Sequence, residues 1–310
     1  FTLNRLCGSG LQAIICASQQ IQTGDVETAI AGGAECMSHS MYWVPAMRWG
    51  QRMNDGTVID AMVGALSDPF DDVHMGITAE NVAEKWEITR EEQDALAVQS
   101  HQRAAKAIAE GYFKEQIMPI EIKERKSVRI FDTDEFVRAD SSVEALSKLR
   151  PVFKENGTVT AGNASGVNDA AAAVVLMNRE AAEKQGLKPM ARLVAYSCVG
   201  VDPRYMGIGP IPAIQSVLER ANLTVADMDV IELNEAFAAQ ALAVIKDLNL
   251  PTEKVNPNGS GISIGHPIGA TGAMLTVKAV YELQRTGGRY GLVSMCIGGG
   301  QGIAAIFERI

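Results

Sequence analysis

The sequence predicts an α/β fold made of two similar layered halves, the first interrupted by a long insertion. Three observations point that way. Strand, helix and strand follow one another at the N-terminal end. The same alternation fills the region from about residue 185 onward, and residues 38–165 break the rhythm.

Phe1 to Leu6 reads as a short strand, and Cys7-Gly-Ser-Gly10 as the turn after it. Leu11, Ile14, Ile15 and Ile21 fall roughly on one helical face, and Gly24 closes that helix. Thr28 to Glu35 is a strand of small residues that permits close packing. Inside the insertion, Met41 to Met53 is a loop rich in tryptophan and methionine. Thr89-Arg-Glu-Glu92 then has the reciprocal capping pattern that opens a helix, ending near Gly111. The charged stretch Lys123-Glu-Arg-Lys126 follows, and alternation resumes with a buried-type strand from Ala171 to Met177. Strands are expected at Arg192 to Val199 and Val230 to Leu233, with helices at Pro212 to Ala221 and Glu235 to Leu248. A short strand at Lys254 to Asn256 and a helix from Gly269 to Arg285 come next, then strands at Leu292 to Cys296 and Ile303 to Phe307. Cys7-Gly-Ser-Gly10, a helix, Thr23-Gly24 and a glycine-containing strand echo Asn258-Gly-Ser-Gly261, a helix, Thr286-Gly287 and another such strand. Two similar halves would leave that trace.

Composition excludes several functions. A hydrophobic content of 47% in 310 residues is that of an ordinary globular chain, and no apolar run approaches the roughly 18 residues of a membrane span. The net charge of -9 opposes nucleic-acid and membrane-surface binding, while local arginines and helix N-termini can still hold a small anion. Cys7, Cys16, Cys36, Cys198 and Cys296 are odd in number and scattered, without a CxxC pair. Neither a disulfide framework nor a structural zinc site is expected, and a reducing compartment, the cytoplasm, is. His39, His74, His101 and His266 show no metal-ligand spacing. The chain starts at Phe1 rather than Met, and reads as a fragment that begins part-way into a domain.

Chemistry concentrates in four places. Cys7 lies between a strand and a glycine-rich helix start, where backbone N–H groups and the helix dipole are expected to lower its pKa. Most free cysteines are small buried hydrophobes, so Cys7 alone decides nothing. Gly265-His-Pro-Ile-Gly-Ala-Thr-Gly272 surrounds one histidine with residues of special backbone demand, which implies a tight loop that aims a base. Cys296-Ile-Gly-Gly-Gly-Gln-Gly302 follows a buried strand, and its glycines leave N–H groups free for an oxyanion. Asn234, in Asn234-Glu-Ala-Phe237, is an N-cap by base rate and a site amide otherwise. His74-Met-Gly76 and Asn163-Ala-Ser-Gly166 are too generic to interpret alone.

Together and in this order, these elements resemble the thiolase family. Asn4-Arg-Leu-Cys-Gly-Ser-Gly10, Asn234-Glu-Ala-Phe237, Gly265 to Gly272 and Cys296 to Gly302 match its four signature blocks, and the likeness covers essentially the whole chain. It is nearest to bacterial broad-range β-ketothiolases of the acetyl-CoA acetyltransferase type. The resemblance implies acyl transfer between CoA thioesters in fatty-acid metabolism: condensation of acetyl-CoA with an acyl-CoA to 3-oxoacyl-CoA, and the reverse thiolysis. CoA thioesters are then substrates, with no permanently bound cofactor and no metal. It further implies that Cys7 is the nucleophile that becomes acylated and that His266 activates it. Cys296 would exchange the α-proton of acetyl-CoA, and Asn234 would hold a water that, with His266, stabilises the enolate or thioester oxygen. The N–H groups of Cys7 and Gly298 would form a second oxyanion hole. His74, Met75, Phe153, Ala164, Ser165 and Phe237 match the pantetheine and thioester channel, and Arg138 a position near the nucleotide phosphates.

The same resemblance implies duplicated α/β/α layers with mixed five-stranded sheets. Residues 1–37 and 166–184 would be the remainder of an N-terminal domain, 38–165 an inserted CoA-binding loop domain, and 185–310 a C-terminal domain. Homodimers or homotetramers are expected, with the loop carrying Trp43 and Trp49 as the contact for tetramers. Two strands of the first half would be absent, so the chain alone is expected to be poorly stable and inactive. Two rival readings exist. A decarboxylating condensing enzyme of the ketoacyl-synthase type would lack the second thiol, Cys296. A non-catalytic acyl-CoA binder should have lost one of Cys7, His266, Cys296 and Asn234.

Overall fold

In the computed structural model, which describes residues 1–310, the segment before Cys7 is not the strand expected at residues 1–6. Asn4 Oδ1 accepts the Leu6 N–H at 2.8 Å and Ser9 Oγ accepts the Arg5 N–H at 2.9 Å. Side chains therefore take donors that a ladder would otherwise use, and no strand lies alongside to offer one. A single 3-10 turn, Leu6–Gly8, leads into α1 (Ser9–Thr23), which buries Leu11, Ile14 and Ile15. It stops at Gly24, whose φ of 81° is the left-handed conformation that glycine adopts without a Cβ clash. β1 (Thr28–Cys36) follows.

The insertion contains the strand pair β2 (Tyr42–Trp43) and β3 (Ile59–Asp60), then α2 (Ala61–Ala65), α3 (Met75–Lys85) and α4 (Arg90–Ala109). The expected capping box opens α4: Thr89 Oγ1 accepts the Glu92 N–H, and the Glu92 carboxylate accepts the Thr89 N–H. β4 (Ile120–Lys123) and β5 (Val128–Phe131) make an antiparallel hairpin around the charged stretch, and α5 (Val143–Ser147) follows. The remaining elements are β6 (Asp169–Met177), α6 (Arg179–Lys184), β7 (Ala191–Gly200), α7 (Pro210–Ala221), β8 (Val230–Leu233) and α8 (Ala238–Asp247). α9 (Thr271–Thr286), β9 (Tyr290–Ile297) and β10 (Gln301–Arg309) complete the chain.

Five-stranded sheets are present only in part. β1 pairs antiparallel with β6 alone, and Ile30 and Val175 on that pair remain 78% and 68% exposed. The second sheet runs β7-β10-β9-β8 and is mixed, since only β8 and β9 are parallel. The strand expected at Lys254 to Asn256 shrinks to one parallel bridge, Val255 to Ile231. Beyond it the Asn256 side chain takes over, accepting the Leu233 N–H and donating to the Leu233 carbonyl.

α1 and α9 form one layer between the two sheets, burying Leu11, Ile15, Leu275, Val293, Met295 and Phe307. α7 and α8 cover the other face of the second sheet through Ile214, Val217, Leu233, Val244 and Ile306. Glycine sets the spacing of the central pair. A Cβ on Gly272 would lie 2.2 Å from the Leu11 nitrogen, and one on Gly10 would lie 2.6 Å from the Ala273 nitrogen. The two helices also end alike, at Gly24 and at Gly287 with φ of 76°, in keeping with the internal echo.

The insertion packs onto the second half, α3 and α4 both lying against α8. A buried bond crosses that contact, the Ser100 hydroxyl of α4 donating to Glu235 at 2.6 Å. Within the second half, Glu235 also accepts the Asn256 amide at 2.8 Å, and Lys278 donates to Glu232 at 2.8 Å and to the Gly259 carbonyl at 2.6 Å. Burial pushes Glu232 up to about 7 against the opposing charge of Lys278. The helix expected from Glu235 starts only at Ala238, because residues before it are used elsewhere. Phe237 bridges Ala164, the Ser165 N–H donates to the Ala236 carbonyl, and the Ala238 N–H donates to the Asn163 carbonyl. Asn234 is therefore not an N-cap, and its side chain is free for other work.

Candidate active site

Cys7 sits on the turn that opens α1, directly after a strained residue. Leu6 has φ of 43°, a left-handed conformation that costs a non-glycine residue about 1–3 kcal/mol. It is pinned from both sides, by Asn4 Oδ1 on its N–H and by the Ser9 hydroxyl, which donates to its carbonyl at 2.7 Å. The N–H groups of Gly298 and of Cys7 itself favour the ionised form of the Cys7 sulfur.

Those donors do not make a thiolate. The expectation of a lowered Cys7 pKa is reversed: burial pushes the thiol up to about 11, the two N–H groups offset only part of that rise, and the Glu35 carboxylate adds to it. Desolvation acts on a full charge, whereas a helix end offers only about half of one. Cys7 is thus a neutral thiol at rest, and any work as a nucleophile would call for a base.

His266 is the candidate base. It lies 5% exposed in the loop before α9, behind Gly265, whose φ is 119°. Both ends of the loop are clamped by residues remote in the chain. Asn168 Oδ1 accepts the His266 N–H at 3.1 Å, and the Glu35 carboxylate accepts the Gly269 N–H at 3.0 Å. The ring nitrogen Nδ1 lies 2.7 Å from Thr271 Oγ1, and Asn234 Nδ2 lies 3.4 Å from both ring nitrogens. Asn234 is fully buried, and its Oδ1, which lies against Gly261, has no partner among protein atoms. Burial lowers His266 to about 4, so the imidazole is neutral across the physiological range.

Cys296, near the end of β9 and 1% exposed, is held protonated by burial and by the charge Cys7 would carry beside it. Gly298 follows in the turn between β9 and β10, within reach of Met75 and Leu6. Gly299 and Gly300 there have φ of 81° and 82°, and a Cβ on Gly300 would lie 2.3 Å from the Val201 carbonyl. That turn admits only glycine.

The sign of the histidine shift makes a stability prediction. Between an ordinary pKa of 6.5 and the folded value of about 4, the unfolded chain binds more protons at His266 than the native one. Stability from the neutral ring is full above pH 6.5 and is lost as the pH falls toward 4, by about 2 kcal/mol between pH 7 and pH 5. Thermal melts at the two pH values are expected to shift less in a His266→Asn variant than in the parent. An equal shift in both would remove His266 from the acid response.

One wall beside the sulfurs is apolar. Met75, Ala79, Val159, Met206, Ala236, Phe237 and Cys296 form a single buried cluster, with Phe153 and Ala164 packed against it. His74 stacks on Phe153 with centroids 4.6 Å apart, and Phe153 meets Phe237 edge-on at 6.2 Å. His74 also caps α3, its Nδ1 accepting the Gly76 N–H at 3.0 Å. Ser165 joins through its backbone bond to Ala236. Arg138 stands further out. Its N–H donates to His101 Nδ1 at 3.1 Å and its guanidinium lies 6.0 Å from the Phe136 ring centre, the ring that packs on Gly166 beside Ser165.

Cys7, Cys296 and Gly298 thus come together, lined by Met75, Phe153, Ala164 and Phe237, while His266, Asn234 and Thr271 form a second group, and Glu35, whose charge acts on Cys7, also clamps the His266 loop. Sequence reasoning missed Leu6, Glu35, Asn168, Thr271, Met206 and Ala236. Thr271 and Ala236 lie inside motif blocks and could have been asked about. Glu35 and Asn168 carry no local signal, since each acts on a loop more than ninety residues away.

A family model described as thiolase, N-terminal domain, matches residues 1–180, and one described as thiolase, C-terminal domain, matches residues 187–309. The chain is 65% identical to beta-ketothiolase BktB of Cupriavidus necator over 100% of its own length and 79% of that protein. Among solved structures, the Bacillus anthracis acetyl-CoA acetyltransferase superposes with a TM-score of 0.97 at 52% identity, covering 100% of this chain and 79% of that one. Human mitochondrial 3-ketoacyl-CoA thiolase in complex with CoA gives a TM-score of 0.97 at 46% identity, over 100% of this chain and 78% of that one.

Proposed function

The chain belongs to the thiolase family, and from that premise we propose how its own residues carry out acyl transfer between CoA thioesters. The enzyme is an acyltransferase of the acetyl-CoA acetyltransferase and β-ketothiolase type, which condenses acetyl-CoA with an acyl-CoA and cleaves 3-oxoacyl-CoA in reverse. Its cofactor requirement is met by the substrates themselves, which are CoA thioesters.

One observation supports the residue assignment: Glu35, whose charge acts on Cys7 beside Cys296 and the Gly298 N–H, also clamps the loop that carries the neutral His266 imidazole against the buried Asn234 amide. In thiolysis, the Cys7 sulfur attacks the 3-oxo carbon as its proton moves to His266. The bond between C2 and C3 breaks, and C2 of the departing acetyl-CoA takes a proton from Cys296. The proton on His266 restores the Cys296 thiol, CoA then attacks acyl-Cys7 as its thiol proton passes to His266, and Cys7 takes that proton as the acyl group leaves. The Cys7 and Gly298 N–H groups hold the acyl oxygen, and Asn234 with His266 holds the enolate oxygen through a water. A thiolate is both a good nucleophile and a good leaving group, which both half-reactions need.

In this reading residues 38–165 supply most of the CoA channel, including His74, Met75, Phe153, Ala164 and Ser165, with Arg138 toward the nucleotide phosphates. Residues 1–37 and 166–184 supply Cys7 and its clamps, and 185–310 supply the rest. Cys296 stands where a decarboxylating enzyme would lack a thiol, so condensation without malonyl thioester is expected. The proposal includes a homodimer or homotetramer. Met47, Trp49 and Met53 are 68%, 88% and 80% exposed rather than packed into a local core, which suits contacts with another copy. No helix is long and apolar enough to cross a membrane. The unpaired cysteines suit a reducing compartment, and a cytoplasmic location is part of the proposal.

The deciding experiment is thiolysis of acetoacetyl-CoA by the full-length enzyme, with rapid quenching of the reaction with labelled acyl-CoA. Ping-pong kinetics and label on Cys7 are expected. Turnover without label on Cys7, or dependence on malonyl thioester, would overturn the assignment.

A further inference from the structure

We propose that Thr271 is a positioning residue for acyl transfer: its hydroxyl, set between the His266 ring and the Pro267 carbonyl, holds the imidazole in the tautomer whose Nε2 can take the Cys7 proton. The inference rests on His266 being the base for Cys7, as proposed above.

The geometry is a short relay. Thr271 Oγ1 lies 2.7 Å from His266 Nδ1 and donates to the Pro267 carbonyl at 2.9 Å, and the residue is fully buried. A hydroxyl has one proton. If it points to Pro267, Oγ1 must accept, so Nδ1 carries the ring proton and Nε2 keeps a lone pair. If it points to Nδ1, the ring proton moves to Nε2, which then has nothing with which to accept. Thr271 is the first residue of α9, where a threonine hydroxyl bonds readily to the carbonyl four residues back, the first of the two arrangements. The Ala270 and Thr271 N–H groups share that carbonyl, so the hydroxyl holds its place in competition with them.

Nothing else near the ring makes the choice. Asn234 Nδ2 is a donor only, and it is equally far, 3.4 Å, from both ring nitrogens. No carboxylate bonds to the ring, and the main-chain clamps from Asn168 and Glu35 act on the loop rather than on the imidazole. A threonine and a carbonyl thus stand where other nucleophile–histidine pairs have an acidic orienter. The consequence is chemical. With only dipoles behind it the imidazolium is poorly stabilised, so the proton is passed on quickly. As the Cys7 sulfur bonds to the thioester carbon, its proton moves to Nε2. As the carbon–sulfur bond to CoA breaks, that proton moves to the departing CoA sulfur, leaving acyl-Cys7, CoA thiol and a neutral ring.

The test measures Cys7 acylation in single turnover with acetyl-CoA for the full-length enzyme and its Thr271→Val and Thr271→Ser variants. Thr271→Val is expected to slow acylation about 10–100-fold, the usual range for weakening a positioned base, with KM changed less than about two-fold. Thr271→Ser is expected to recover to within about three-fold of the parent, because it restores the hydroxyl. Alkylation of Cys7 by iodoacetamide at neutral pH should slow in Thr271→Val and recover in Thr271→Ser. Nitrogen NMR of the unmodified enzyme reads the tautomer without any variant, and the Nδ1–H form is expected. The Nε2–H form, or wild-type acylation by Thr271→Val, would overturn the proposal. If the parent itself forms no acyl-Cys7, the assignment of Cys7 and His266 fails instead.

Discussion

Cys7→Ser is expected to lower kcat for thiolysis by about 10,000-fold or more, the scale seen when a nucleophile is removed from a site whose parts act as a unit. The substitution keeps the strained turn at Leu6, the two N–H donors and the clamped His266 loop. What changes is the acidity of the attacking group. The Cys7 thiol, though pushed up to about 11, lies within reach of transfer to a histidine at about 4 when that transfer is coupled to carbon–sulfur bond formation. An alcohol is less acidic still, and an oxygen ester formed on serine is a poorer acyl donor to CoA. Steady-state thiolysis and the acyl label after rapid quenching measure both losses. Label retained at another residue with little loss of rate would place the nucleophile elsewhere.

Cys296→Ser should separate the two half-reactions. Exchange of label between acetyl-CoA and free CoA needs only acylation and deacylation of Cys7, and is expected to stay within about ten-fold of the parent. Condensation and thiolysis need proton transfer at C2, and are expected to fall by about 1,000-fold, within the range for removing a general acid–base group. Burial holds the Cys296 proton on, so the thiol exchanges it with C2 only where the enolate oxygen is held at the same time. Equal losses in exchange and condensation would show that Cys296 serves Cys7 rather than the α-carbon.

Much of this protein was legible residue by residue. Gly24 and Gly287 mark helix ends because a positive φ excludes other side chains, and Thr89 with Glu92 marks a helix start because both bonds of the cap lie within one turn. Gly299 and Gly300 could be read as a turn that exposes backbone donors for the same steric reason. Cys7, His266, Cys296 and Asn234 stood out as candidates because each lies in a block whose neighbours have special backbone demands. The alternation of strands and helices in the second half was legible from its apolar runs, since three of its four strands, β8, β9 and β10, are buried on both faces.

Only the tertiary structure decided the rest. Residues 1–6 read as a strand, but a strand exists through a neighbour, and Asn4 and Ser9 satisfy that backbone instead. α8 starts late because Ala164 and Ser165, some seventy residues earlier, pair with Ala236 and Phe237. The Cys7 pKa rises where a local reading had it fall, because a dipole belongs to one helix whereas desolvation is the sum of everything packed around the sulfur. By itself the sequence determined which groups could do the chemistry, through steric and bonding demands that single residues carry. Folding decided their protonation states and who holds them in place, because those depend on distances between residues that the chain keeps far apart.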